Sequence, residues 1–252
     1  MGIIIAVLLF SFIIIFHELG HFLLAKKNGI RVDEFSLGLG PTLLGKQIGE
    51  TKFSLKLLPF GGACMMGEDD ADDLSEGSFN SKSVWARMSV VAAGPIFNLI
   101  LACVFCFILI MITGYRSPEI TGVLDGYSAQ EEGLQAGDVI TEINGRNVHI
   151  WDDVSLYTMT HADEAPFKVE YERDGKKYTA KLEPRQLEGD AAPLLGVTSG
   201  DIVKPRIFKS VEYSIYKVKY WMNYTVDSLR MLVTGQAGLK DLSGPVDRKS
   251  VV

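Results

Sequence analysis

The chain has 252 residues, a formal net charge of −6 at pH 7 and a hydrophobic content of 47%. This acidic balance gives no electrostatic footprint for nucleic acid, so we expect no nucleic-acid partner. Three cysteines are too few for a disulfide framework. Two of them, Cys103 and Cys106, have a C-x-x-C spacing, but they lie inside an apolar stretch. That setting favours small residues of a membrane helix over a redox or zinc site.

The chain begins with an apolar segment that is long enough to cross a membrane. From Gly2 to Phe16 the only polar side chain is Ser11, and apolar residues continue to Ala25. As a helix, residues 2–25 would extend about 36 Å at ~1.5 Å per residue, against roughly 30 Å for a bilayer core. A signal peptide is a poorer interpretation, because no basic residue precedes the apolar run and no A-x-A-like cleavage site follows it.

A His-Glu-Leu-Gly-His motif lies in this segment, at residues 17–21. On a helix His17 and His21 share one face, and two imidazoles placed in this way can bind one Zn²⁺. Glu18 then lies beside the metal, where it can accept a proton from metal-bound water. HExxH also occurs by chance in soluble helices, but ionisable groups in a membrane span are expensive. We therefore predict a zinc site with ligands His17 and His21 and the general base Glu18.

The residues after this segment predict its orientation and a small β region. Lys26, Lys27 and Arg31 follow it and no Lys or Arg precedes it, so the positive-inside rule predicts an outside N-terminus. Residues 32–67 carry weak strand signals, namely short alternations of apolar with polar or small residues. We expect these residues to form a β region on the cytosolic side.

A second apolar stretch, residues 90–112, would extend about 34 Å as a helix. Gly94-Pro95 is expected to bend or break this helix, and Asn98 follows one turn later. A buried Asn in lipid needs a hydrogen-bond partner. The sequence leaves open whether that partner is a neighbouring helix or whether Asn98 faces the zinc site.

The following segment has the mixed pattern of a soluble α+β domain. The run from Gly133 to Ile140, followed by Asn144-Gly145, strongly resembles a PDZ domain of the bacterial protease type. Such domains add an extended peptide or a C-terminus to a sheet edge. Residues 207–234 have helical apolar periodicity interrupted by charges, with several aromatic residues. They predict an amphipathic helix at the membrane interface, the alternative being a surface helix packed on the PDZ domain.

Taken together, these features make the chain resemble the site-2 protease family of intramembrane zinc metalloproteases, in its bacterial RseP/RasP branch with one PDZ domain. The resemblance covers nearly the whole length and its motifs are jointly specific. The matching segments are HELGH at 17–21, FSLGLGP at 35–41, LPFGGACMMGE at 58–68, AGPIFN at 93–98 and LSGPV at 242–246.

The resemblance implies a membrane α-helical protease core with a small membrane-associated β region, plus an inserted α+β PDZ domain. The expected parts are a protease core at 1–115, a PDZ domain at 116–185, a linker at 186–206, an interfacial helix at 207–234 and a truncated tail at 235–252. The core would sit as a multi-pass protein in a bacterial cell (inner) membrane, with the PDZ domain outside the cytoplasm.

The resemblance also implies regulated intramembrane proteolysis by a zinc-dependent endopeptidase. Its substrates would be single-pass membrane proteins, such as anti-sigma factors or signal-peptide remnants. The sheet edge around Gly61 and Gly62 would hold the substrate as an extended strand, and Asn98 would line the site. The remaining partners are the lipid bilayer and a peptide ligand of the PDZ domain.

One family feature is missing from the sequence. The family supplies its third zinc ligand from an LDG motif in a later membrane helix, and no apolar segment after residue 112 carries one; Leu124-Asp125-Gly126 lies in the α+β segment. Neither Asp227 nor Asp241 is assigned that role. We expect the natural protein to continue beyond Val246 into a further spanning helix, and residues 247–252 to be translated adaptor sequence. The alternative is a non-catalytic membrane PDZ protein that only binds substrates, but the intact HELGH favours the protease.

Overall fold

The computed structural model describes residues 2–67, 72–187, 194–199 and 201–235. The chain divides into two compact units, with the boundary between Val104 and Phe105. Apart from Gly235, the predicted tail at 235–252 lies outside the described residues.

Two long apolar helices, α1 (Gly2–Lys27) and α2 (Val84–Thr113), are the candidate membrane spans within the described ranges. Only 6% and 17% of the residues in their most apolar windows are buried. A core helix of a soluble protein buries its apolar stripe, whereas these helices expose apolar side chains on most sides. Length and exposure therefore suit a lipid environment. Helix α2 continues through Pro95 as one helix.

Two long strands, β1 (Glu34–Ile48) and β2 (Thr51–Met65), form the β region of the first unit. The start of β1 pairs with β2 on both of its sides. Leu37 of β1 lies opposite both Leu55 and Gly62 of β2, so the start of β1 runs between two segments of β2. Residues 62–65 pair with the start of β1 on one side, and no second strand lies beside them among the described residues. They form one edge of this sheet.

The β region packs against the second half of α1. The ring of Phe22 lies 5.4 Å from that of Phe35 and 5.7 Å from that of Phe53, between ring centroids. Aromatic pairs at such distances add specific contacts to the burial of apolar area. The residue that follows α1 is fastened to α2 as well, since Asn28 Nδ2 donates a hydrogen bond to Ser89 Oγ at 3.1 Å.

The second unit is an α+β domain around a four-stranded antiparallel sheet. Its elements are β3 (Tyr115–Arg116), β4 (Ile120–Val123), α3 (Ser128–Glu131), β5 (Val139–Ile143), β6 (Arg146–Asn147), α4 (Trp151–Thr160), β7 (Phe167–Arg173), β8 (Lys176–Leu182), β9 (Val197–Ser199) and β10 (Ile202–Val203). The main sheet has the order β6-β5-β7-β8. Its inward side chains, such as Ile140, Ile143, Phe167 and Val169, are fully buried and form the core.

Two short strands extend this domain beyond the predicted boundary at residue 185. Strand β9 pairs with β4, and β10 pairs with β3. Leu195, just before β9, is a buried member of the domain core. The segment predicted as a linker, residues 186–206, thus contributes two strands and a core side chain to the domain.

A buried ion pair joins Asp138, the residue before β5, to Arg173, the last residue of β7. Asp138 is 1% exposed and accepts hydrogen bonds from Arg173 Nε at 2.6 Å, Arg173 Nη2 at 2.7 Å and Gln135 N at 2.8 Å. Burial raises the pKa of Asp138, but the guanidinium and the backbone N–H lower it more, so the net shift is downward. A depressed native pKa stabilises the fold above the unfolded-state pKa, and this contribution is lost as the pH falls through the native value.

Helix α5 (Ile207–Thr234) packs on this domain through its polar face. Asp227, 3% exposed, accepts hydrogen bonds from both terminal nitrogens of Arg146, at 2.8 and 3.3 Å. Lys217 Nζ donates to Asp152 at 2.9 Å. The apolar face remains exposed, and its residues are Phe208, Val211, Ile215, Met222, Val226, Leu229 and Val233.

We predict that residues 115–203 fold as an independent soluble domain, whereas residues 118–184 do not. The shorter span lacks β9, β10 and Leu195, so it leaves part of the core uncovered. Two-dimensional NMR of both polypeptides checks this. The amide signals are expected to be well dispersed for residues 115–203 and poorly dispersed for residues 118–184. Equal dispersion of the shorter polypeptide would contradict the assignment of β9 and β10 to the domain.

Candidate metal centre

The two histidines of the HELGH motif lie one turn apart on α1, with their rings in contact. The ring centroids are 4.8 Å apart and the ring planes meet at 78°. This is the geometry expected from a four-residue spacing on a helix. Both side chains are partly buried against other residues of the first unit.

The Nε2 atoms of the two histidines converge on one point beside α2. A Cβ atom built on Gly94 would lie 2.5 Å from Nε2 of His17 and 2.5 Å from Nε2 of His21. Zinc–imidazole bonds measure about 2.0–2.1 Å, so a cation beside Gly94 can reach both nitrogens. Glycine leaves this space open, which any side chain would fill. The donor chemistry and the open space both fit zinc.

The two Nδ1 atoms are engaged by α2. His21 Nδ1 lies 2.7 Å from the carbonyl oxygen of Val90, and His17 Nδ1 lies 3.1 Å from Nδ2 of Asn98. A carbonyl can only accept, so His21 must donate from Nδ1–H, and its Nε2 then carries a free lone pair. Such an outer hydrogen bond is the usual means of fixing a ligand histidine.

Glu18 lies next to the edge of the β region. A Cβ built on Gly62 would lie 3.1 Å from Cγ of Glu18 and 3.2 Å from the carbonyl oxygen of Ser36. Glycine therefore allows the edge segment to approach α1 closely at this residue. A second tether lies further along, where Ser11 Oγ donates a hydrogen bond to the carbonyl of Pro59.

Gly61 has a different role from its neighbour. Its backbone φ is +90°, and a Cβ there would lie 2.7 Å from Cγ of Leu39, within the sheet. The left-handed conformation and the close contact both call for glycine. Gly61 thus shapes the edge segment, while Gly62 is the residue that contacts Glu18.

The structure brings His17, Glu18, His21, Gly62 and Asn98 together in the first unit. Sequence reasoning missed Gly94 and the Val90 carbonyl as parts of this site. Their signal was the four-residue spacing of positions 90, 94 and 98, which places them on one face of α2.

The described residues contain no group of three or more His, Cys, Asp or Glu side chains that could hold a metal ion. Asp227 is paired with Arg146 in the second unit, and Asp241 lies outside the described part of the chain. The two imidazoles are therefore the candidate metal donors among the described residues.

A pair of imidazoles beside a glutamate, on a helix with the length and composition of a membrane span, defines a membrane metallopeptidase. Comparison with known proteins agrees. A model of "Peptidase family M50" matches residues 5–249. The chain therefore belongs to peptidase family M50, the site-2 protease family, and it is a metalloendopeptidase of that family.

Several curated proteins resemble the chain over most of its length. A protein of Clostridium acetobutylicum named "Putative zinc metalloprotease" is 38% identical over 245 residues, which cover 97% of this chain and 72% of that protein. The zinc metalloprotease RasP of Bacillus licheniformis is 28% identical, with 95% and 77% covered. The regulator of sigma-W protease RasP of Bacillus subtilis is 28% identical, with 95% and 76% covered.

Solved structures that match the chain include one that covers part of it. It is the PDZ domain of an SdrC-like protein from Listeria monocytogenes, 24% identical, covering 34% of this chain and 87% of that one. The TM-score is 0.27, which carries no argument about the fold.

We predict that Gly94→Ala weakens zinc binding by on the order of 100-fold, the upper range for changes around a metal ligand. The added methyl would lie 2.5 Å from both Nε2 atoms, so at least one ring must move. The substitution should not weaken the helix itself, since Ala is favoured over Gly in a helix by about 1 kcal/mol. Competition with a zinc chelator in detergent measures the affinity.

Gly2→Ala is the matched control, because a Cβ at Gly2 meets no atom within 4 Å and the residue also lies in a helix. It should bind zinc as the unchanged chain does. Equal zinc affinity of Gly94→Ala and Gly2→Ala would place the metal elsewhere.

Proposed function

We propose that the chain is a zinc-dependent intramembrane endopeptidase whose ligands are His17 and His21 and whose general base is Glu18. The observation that carries this proposal is the convergence of two Nε2 atoms beside Gly94, with Glu18 on the same helix. A non-catalytic membrane PDZ protein is less well supported, since binding alone gives no use to a glutamate on the same helix as two converging imidazoles.

The chemistry assigned to the chain's own residues is proton transfer and positioning. Zinc, when bound, supplies Lewis-acid polarisation of a carbonyl and lowers the pKa of water. The carboxylate of Glu18 accepts the proton of the attacking water and passes it to the amine nitrogen of the leaving segment. The carbonyl of Val90 holds the ring of His21 in place throughout.

The edge of the β region is proposed to hold the substrate. A transmembrane helix hides its peptide bonds inside its own hydrogen bonds, so it must be extended before it can be cut. Residues 62–65 lie at a sheet edge beside Glu18 and can pair with an incoming strand. Gly61 and Gly62 allow that edge to bend and to approach α1.

The substrate class is proposed to be single-pass membrane proteins, such as anti-sigma factors or signal-peptide remnants. The support is the name of the Bacillus subtilis relative, regulator of sigma-W protease RasP. The enzyme is proposed to be a multi-pass protein of a bacterial cell membrane.

Residues 115–203 are proposed to form the inserted PDZ domain, outside the cytoplasm. The support is a groove of about 410 Å³ between α4 and the segment that leads into β9. Its walls carry Trp151, Val154, Met159, Leu195 and Val197. An apolar groove between a helix and a short strand suits an extended peptide, whose main chain would pair with β9.

The exposed face of α5 is proposed to lie at the membrane interface. Its apolar side chains point away from the domain, and Phe208 is 91% exposed. The polar face is already satisfied by Arg146 and Asp152. A helix with one satisfied polar face and one exposed apolar face suits the boundary between headgroups and acyl chains.

We predict that Glu18→Gln lowers cleavage of a tagged membrane substrate by a factor of about 10² or more, because the amide cannot act as a base. Zinc content should stay unchanged, since both imidazoles remain. Immunoblots of cells that carry the enzyme and the substrate measure cleavage, and metal analysis of the purified protein measures zinc. Glu50→Gln, an exposed carboxylate, is the matched control and should cleave normally. Unchanged cleavage by Glu18→Gln would contradict the role of Glu18 as the general base.

A further inference from the structure

Asn98 contacts His17 through one atom of its amide and leaves the other atom unpaired. Its Nδ2 lies 3.1 Å from Nδ1 of His17. Its Oδ1 is buried and has no hydrogen-bond partner among the described residues. Leaving a buried polar atom without a partner destabilises a fold, so such a side chain needs an explanation.

The hydrogen bond between Asn98 and His17 can run in either direction. If Asn98 donates from Nδ2, His17 Nδ1 must be the acceptor, and the proton of the neutral ring then sits on Nε2. That nitrogen could not bind a metal. If the amide is turned by 180° about its last bond, Oδ1 accepts from His17 Nδ1–H and Nε2 keeps its lone pair. Both orientations leave one amide atom unpaired, so the imidazole decides between them.

His21 indicates which direction the hydrogen bond between Asn98 and His17 takes. His21 Nδ1 faces a backbone carbonyl at 2.7 Å, and a carbonyl has no proton to give. The ring of His21 is therefore the Nδ1–H tautomer, with its Nε2 lone pair aimed beside Gly94. Nε2 of His17 points to the same place at the same 2.5 Å from a Cβ on Gly94. Two converging lone pairs require an oxygen acceptor at each Nδ1.

We propose that Asn98 is a positioning residue for zinc binding. Its amide oxygen accepts the Nδ1–H of His17 and holds the imidazole in the tautomer whose Nε2 faces the metal. Val90 performs the same task for His21 through its carbonyl. This inference rests on the proposed zinc site and assigns Asn98 a partner in the enzyme itself, where the sequence left the partner open.

The proposed role requires a hydrogen-bond acceptor at residue 98. An Asp keeps an oxygen at the same place and should hold the tautomer. A leucine has nearly the same size and keeps the packing between α1 and α2, but it offers no oxygen. The neutral side chain of a histidine in water favours the Nε2–H tautomer, so His17 should revert to it in the Asn98→Leu variant.

The test uses the chain labelled with ¹⁵N in histidine, in detergent and without metal, at a pH above the usual range of histidine titration. Long-range ¹H–¹⁵N correlation spectra report which ring nitrogen carries the proton. His17 is expected as Nδ1–H in the unchanged chain and in Asn98→Asp, and as Nε2–H in Asn98→Leu. His21 should stay Nδ1–H in all three and serves as the internal control.

Zinc affinity, measured by chelator competition on the same three proteins, provides the second readout. Asn98→Leu should bind zinc about 10–100-fold more weakly, the range for loss of an outer hydrogen bond to a ligand. Asn98→Asp should bind within a few-fold of the unchanged chain.

An Nε2–H tautomer of His17 in the unchanged chain would overturn the inference even if Asn98→Leu failed to fold. So would an Nδ1–H tautomer in Asn98→Leu. If no protein bound zinc, the proposed function would fail, while the tautomers would still decide the role of Asn98.

Discussion

The close crossing of α1 and α2 is the constraint on which the metal centre depends. A Cβ on Gly20 would lie 2.6 Å from the carbonyl oxygen of Ala93, so glycine is needed for the two backbones to approach. Small residues at helix crossings in membranes serve this purpose in general. At this separation, the face of α2 that carries Val90, Gly94 and Asn98 meets the histidines of α1. One helix therefore carries the proposed metal donors, and the other supplies the space and the hydrogen bonds that orient them.

The β region adds the second half of the site by a similar use of glycine. Gly62 allows the free sheet edge to lie against Glu18, and Ser11 fastens the same segment to α1. The proposed general base lies on α1, and the proposed substrate edge is held against the same helix. Packing of Phe22 against Phe35 and Phe53 fixes the sheet on that helix. Proton transfer needs such fixed geometry, because the base must lie within hydrogen-bond reach of the attacking water.

Much of this arrangement could be predicted from local patterns in the sequence. The four-residue spacing of His17 and His21, the long apolar stretches and the turn glycines all act over a few residues. The Val90 carbonyl could not be predicted, since every residue has one and only the helix crossing selects it. Strands β9 and β10 were also missed, because they have three and two residues and depend on pairing with β4 and β3 far away in the sequence.

The structure bears on one of the two interpretations of the amphipathic helix α5, since the helix packs on the domain, while its place at the membrane interface stays a proposal. Two of the charges that interrupt α5, Asp227 and Lys217, are directed at the domain and find partners there. The apolar residues between them remain exposed. Periodicity alone gives the two faces but not which of them packs on protein, because that choice depends on Arg146 and Asp152 in other elements.

Zinc K-edge X-ray absorption of the zinc-loaded chain tests the metal centre most directly, since it counts and identifies the ligand atoms. The account predicts two imidazole nitrogens at about 2.0–2.1 Å, with the remaining neighbours oxygen. The spectrum of His17→Ala should then show one imidazole. Sulfur neighbours at about 2.3 Å, or an imidazole count unchanged by His17→Ala, would contradict a centre built from His17 and His21.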